Sequence, residues 1–127
     1  MTREEIDSLS NKVIGALIEV HRCLGPGLLE SAYEECLCRE LELRGIAFER
    51  QASLSIAYKG IQIDAAYRID ILVENALILE LKSVAKLESI HEAQVLTYLN
   101  LKNLWLGLLI NFNVSVLKDG IRRMVNG

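Results

Sequence analysis

The run Leu77–Val84 constrains this chain more than any other segment: its only charged residues are Glu80 and Lys82. Side chains alternate along a strand, so a strand that is apolar on both sides must be covered on both sides. The continuous apolar run Leu104–Ile110 makes the same demand. The chain therefore needs a sheet with helices against each face, an α/β layering. Glu80 and Lys82, two residues apart, project from one face of their strand. A charge inside such a run costs several kcal/mol unless it is paired, hydrogen-bonded or bound to a metal.

Asp70 belongs to the same constellation only if the hairpin register allows it. A two-residue turn at Glu74-Asn75 would set Asp70 opposite Leu79, on the wrong face for Glu80. A three-residue turn, Glu74 to Ala76 with Asn75 left-handed, pairs Val73 with Leu77 and Asp70 with Glu80. Two adjacent carboxylates make a hard-oxygen site suited to Mg²⁺ or Mn²⁺. A lysine two residues beyond can orient a water or stabilise charge on a phosphate. The spacing alone leaves a structural salt bridge equally open, with Lys82 neutralising Asp70 or Glu80.

The remaining elements follow from periodicity. Ile6, Leu9, Val13, Leu17, Val20 and Leu24 trace one stripe, which predicts a helix over 2–24, broken by Gly25-Pro26-Gly27. His21 lies one residue off that stripe, the place of a boundary histidine bonded to backbone. A second helix is expected over 28–44, closed by Gly45. Glu30 shares its face with Tyr33, Leu37 and Leu41, so its carboxylate is expected to look inward. Strands are expected over 47–58 and 61–73, the latter with Tyr67, Ile69 and Ile71 on one face and Arg68, Asp70 and Leu72 on the other. Ser89 and Glu92 form the capping box of a helix that runs to about 102. His91, Gln94 and Tyr98 share a face of it and are expected to line a cleft. A tight turn at Asp119-Gly120 leads into a last edge strand over 121–125. The order is α-α-β-β-β-α-β, plus that edge.

Three segments together resemble known families. Asp70, followed after nine residues by Glu80-Leu81-Lys82, resembles the D…(D/E)xK signature of the PD-(D/E)XK nuclease superfamily. Gly25-Pro26-Gly27-Leu28-Leu29-Glu30-Ser31-Ala32-Tyr33 resembles the naming motif of the GxxExxY family, a small branch of that superfamily. Gln94-Val95-Leu96-Thr97-Tyr98-Leu99 resembles the QxxxY helix of several branches. The resemblance runs from about Val13 to the last strand; Ile69 stands where the superfamily's name has proline. It implies a restriction-endonuclease-like αβββαβ core, with a mixed central sheet flanked by helices, and metal-dependent hydrolysis of DNA or RNA. Residue by residue, it implies Asp70 and Glu80 as metal ligands, Lys82 as the catalytic lysine and Glu30 as the carboxylate completing the acidic cluster. Gln94, Tyr98 and Tyr33 would support or contact the substrate, with Mg²⁺ or Mn²⁺ as cofactor. The alternative is a non-catalytic binding or assembly module on the same fold.

Composition bounds these readings. At 127 residues the chain is expected to form a single domain over 1–127. Its net charge of −3, with basic residues scattered and densest at Arg122-Arg123 near Lys118, argues against a strong grip on a long duplex. A small or structured nucleic acid, or a partner protein that binds it, fits better. The apolar segment Val114–Leu117 reads as an edge on which a second copy could pair into a homodimer. Cys23, Cys36 and Cys38 have no zinc spacing and read as reduced, packed thiols. No apolar run approaches a membrane span and the charged start is no signal peptide, so a cytoplasmic location is expected.

Overall fold

Thr2 starts the first helix, α1 (Arg3–Leu24), through a reciprocal cap: its hydroxyl accepts from the Glu5 amide at 3.1 Å, and the Glu5 carboxylate accepts from the Thr2 amide at 2.9 Å. The computed structural model describes residues 1–127, the side chains of Ala65 and Ala66 excepted. The expected stripe of α1 is buried from Ile6 to Val20. His21 bonds the backbone carbonyl of Val114 at 2.8 Å, as a boundary histidine should. The second helix, α2 (Glu30–Leu43), starts two residues later than periodicity predicts, because Leu28 and Leu29 belong to the preceding loop. Gly45 ends it with φ of 69°, where the Gly45 and Ile46 amides reach back to Glu42 and Leu41.

The strands are β1 (Phe48–Tyr58), β2 (Ile61–Val73), β3 (Leu77–Lys82), β4 (Leu106–Asn111) and β5 (Ile121–Val125), with α3 (Ser89–Lys102) between β3 and β4. They form one five-stranded sheet in the order β1-β2-β3-β4-β5, in which only β3 and β4 run parallel. α1 and α2 pack on one face against Leu77, Leu79, Leu81, Leu106, Leu108 and Ile110. α3 packs on the other, where Val95 and Leu99 meet Ile78 and Leu109. The two-sided cover that β3 and β4 require is thus in place, and all of β4 is buried. Gly107 lets α3 approach closely: a Cβ there would stand 2.8 Å from a Val95 methyl.

Several expectations are corrected. α3 takes its N-cap from Glu88, not Ser89, and the Glu88 amide donates to Nδ1 of His91 at 3.0 Å. β5 follows a 3₁₀ turn over Leu117–Gly120. Val114–Leu117 is no free edge, since Leu117 is buried and Val114 packs on the core. Of the cysteines only Cys38 is buried; Cys23 and Cys36 are exposed. Burial pushes the Cys38 thiol up to about 11, so it stays protonated.

The correction that matters most concerns β2. Ile71 and Val73 face α1 and α2, yet Ile69 and Leu72 both lie with α3. Its partner β1 switches in the same place: Phe48 packs with α1 and α2, Ala52 and Leu54 with α3. Gln51, between them, has φ of 54°. The β1–β2 hairpin therefore turns about Gln51 and Asp70, and its outer half closes over α3.

Candidate active site at the opening of the β2–β3 ladder

The turn Glu74–Ala76 is the three-residue form, with Glu74 and Asn75 both left-handed at φ of 49° and 53°. It pairs Val73 with Leu77, then Leu72 with Ile78 and Ile71 with Leu79. The next pair in that register is Asp70 with Glu80, and there the ladder opens. Carboxylates take over the amides the ladder releases. Oδ2 of Asp70 accepts from the Leu81 amide at 2.8 Å, and Oε1 of Glu80 lies 3.4 Å from the Asp70 amide. Each acid is thus held by the other's strand.

Glu80 is 3% exposed. Burial first, then the neighbouring Asp70 charge and a hydrogen bond to its side chain, push the Glu80 carboxyl up to about 9. At neutral pH it keeps its proton, and the pair carries less negative charge than its composition suggests. Lys82 is half-buried on the same face as Glu80, and its charge slightly favours ionised Glu80. Among the described residues it makes no ion pair, so the salt-bridge reading has no contact behind it.

A cleft of about 470 Å³ opens beside this pair, between the curled hairpin and α3. Lys82 lines it, with Ile56 and Tyr67 from the hairpin and His91, Gln94 and Tyr98 from α3. The expected stripe on α3 does line a cleft. Tyr98 is almost wholly buried, and its phenol is pushed up by burial, then by Glu80 and Asp70. The Tyr67 and Tyr98 rings lie 6.2 Å apart at 48°. Sequence reasoning missed Tyr67, because strict alternation sent it to the other face. A larger hollow of about 620 Å³, lined by Met1, Glu5 and Arg44, holds none of the candidate residues.

Two residues of the Gly-rich segment stand apart from this chemistry. Tyr33 is fully buried, stacked on Phe112 at 4.2 Å. Its hydroxyl donates to the Gly25 carbonyl at 2.6 Å and accepts from the Leu28 amide at 3.2 Å, which closes the loop before α2. A ring enclosed in this way anchors the loop and presents no surface to a substrate. Glu30, expected to look inward, is exposed in the first turn of α2. Its helix packs on the opposite sheet face from Glu80. Among the described residues no three His, Cys, Asp or Glu side chains converge into a metal cage. The loop itself does reach the end of β3, where the Ser83 hydroxyl donates to the Leu28 carbonyl at 2.6 Å.

The family model of the PD-(D/E)XK nuclease superfamily matches residues 7–124. The chain belongs to that superfamily. The match takes in α2, the whole β1–β2–β3 unit, α3 and nearly all of β5, so both candidate acids, Lys82 and the cleft fall inside it. The layered sheet of this superfamily member is the restriction-endonuclease-like α/β fold. No curated protein and no solved structure matches the chain.

Proposed function

We propose that the chain is a metal-dependent phosphodiesterase acting on nucleic acid, with its site at Asp70, Glu80 and Lys82. The observation that carries the reading is the opening of the β2–β3 ladder, which brings two carboxyl groups together on the strands beside a cleft that Lys82 lines. The donor set suits Mg²⁺ or Mn²⁺, ions that take one or two carboxylates and complete their shells with water and phosphate oxygen. Asp70 and Glu80 would hold the ion, which supplies charge stabilisation at the phosphate when bound. Glu80 gives up its proton on binding, as any carboxyl ligand must. Lys82 orients the attacking water and offsets charge on the phosphate. Gln94 and Tyr98 contact substrate from α3. Tyr33 fixes the loop before α2, and Glu30, exposed in the first turn of that helix, is left outside the proposed ligand pair. The Gly27, Glu30 and Tyr33 spacing supports placement in the GxxExxY branch, and the substrate is DNA or RNA.

Calorimetric titration with Mn²⁺ and Mg²⁺ tests this, on wild type and on Asp70→Asn, Glu80→Gln and Lys82→Ala. Wild type binds; the two carboxyl variants lose binding and cleavage; the lysine variant binds metal but loses turnover. Failure of wild type to bind at millimolar metal sinks the reading. One observation favours the second reading, a non-catalytic module on this fold: Arg122 and Arg123, the densest basic pair, are engaged by Glu92 and Asp7. Such a module needs no divalent ion, so the same titration separates the two.

A further inference from the structure

The cleft beside the carboxyl pair has a composition that phosphate chemistry alone does not require. Its walls are a hairpin side, with Ile56 and Tyr67, and a helical side, with Tyr98, Gln94 and Leu101. Tyr67 lines the cleft and is 49% exposed. Gln94 and His91 bring donors and acceptors to the same space. Among the described residues that line it, Lys82 is the one lysine or arginine, and no aspartate or glutamate joins it. We infer that this cleft takes one unpaired nucleotide, its base stacked on Tyr67 and its phosphate toward Lys82, so that the substrate is single-stranded or frayed nucleic acid. The inference rests on the phosphodiesterase reading for its occupant, and narrows it.

Four physical arguments support that occupant over a duplex. A paired base hides its faces in the helical stack, so an aromatic ring can reach only an unstacked one. Affinity for a duplex comes from rows of Lys and Arg on phosphates, and Arg122 and Arg123 are held by acids elsewhere. Stacking on an exposed ring is tolerant of sequence and needs no net positive charge, which suits a chain of net charge −3. The volume of about 470 Å³ falls within the ordinary range of small-ligand sites, enough for a nucleoside and too little for a helix.

The test is fluorescence anisotropy in Ca²⁺ with a short labelled oligothymidine and with the blunt duplex it forms with oligoadenine. Tyr67→Ala and Tyr67→Phe are compared with wild type, and Tyr58→Ala, exposed on the same hairpin outside the cleft, is the control. Wild type should prefer the single strand, Tyr67→Ala should weaken it roughly tenfold or more, and Tyr67→Phe and Tyr58→Ala should bind as wild type does. Equal affinity for strand and duplex, no affinity for either, or an unaffected Tyr67→Ala overturns the assignment. Cleavage of the same strand with Mn²⁺ is read in parallel. Tyr67-dependent binding without cleavage overturns the hydrolytic reading and keeps this one; cleavage indifferent to Tyr67 does the reverse.

Discussion

Glu80 is held in a neutral form by burial and by the Asp70 charge beside it, and this has a consequence for stability. A carboxyl raised from 4.5 to about 9 on folding keeps a proton that the unfolded chain releases between those values. Its stabilising contribution is complete below about 4.5 and is lost as pH rises through about 9. The slope is at most about 1.4 kcal/mol per pH unit. Glutamine mimics the protonated acid, so Glu80→Gln should match wild type near pH 5 and exceed it increasingly toward pH 9. Urea melts of the metal-free proteins across that range check this; parallel curves for the two would remove Glu80 as the titrating group. Tyr33 makes a second prediction at this scale. Tyr33→Phe leaves the Gly25 carbonyl and Leu28 amide without their partner, a cost of about 1–3 kcal/mol by chemical denaturation.

Elements set where the acids meet. β3 and β2 share only three ladder pairs before they part, and the hairpin beyond turns about Gln51 and Asp70 to close on α3. The cleft is a product of that turn, since Ile56 and Tyr67 reach it only from the curled half. Toward the β5 edge of the sheet, Gly120 allows the 3₁₀ turn to sit against the end of β4. A Cβ on Gly120 would overlap the Asn111 carbonyl oxygen, a backbone atom that cannot move aside. Gly120→Ala should therefore cost about 1–3 kcal/mol, seen as a lower Tm by calorimetry. A variant as stable as wild type would mean that β5 can shift away without loss.

For the whole molecule, a ligand that binds only the folded chain raises its stability by mass action. Mn²⁺ at a hundred times its Kd should add about 2.7 kcal/mol to wild type. The same metal should leave the Tm of Glu80→Gln unchanged, and a shift common to both would place the ion elsewhere. The molecule's charge is arranged accordingly: Arg22, Arg44, Arg50, Arg122 and Arg123 each face an acid. Long-range attraction for a polyanion is correspondingly weak, and binding depends on the cleft and on the ion. Among the described residues no helix is long and apolar enough to cross a membrane.

Much of this was written in local pattern. The stripe of α1, the doubly apolar β3 and β4, and the glycines at 25, 27 and 45 determined the element order and the need for helices on both faces. The register that sets Asp70 opposite Glu80 was legible only as a condition: two- and three-residue turns were both open, and only the latter puts both acids on one face. What tertiary structure alone decided lies where periodicity breaks. The face switch at Gln51 and Asp70 breaks the alternation that grouped Tyr67 with Ile71, away from Asp70, and no single-strand pattern carries that information. Glu30 shares a helical face with buried residues yet sits at the end of its helix, where solvent reaches it. For Tyr33 the resemblance implied a substrate contact, but its hydroxyl's partners, Gly25 and Leu28, are chosen by a loop fold. Periodicity reports which side of an element is covered; only the assembled sheet says by what, and where the cover ends.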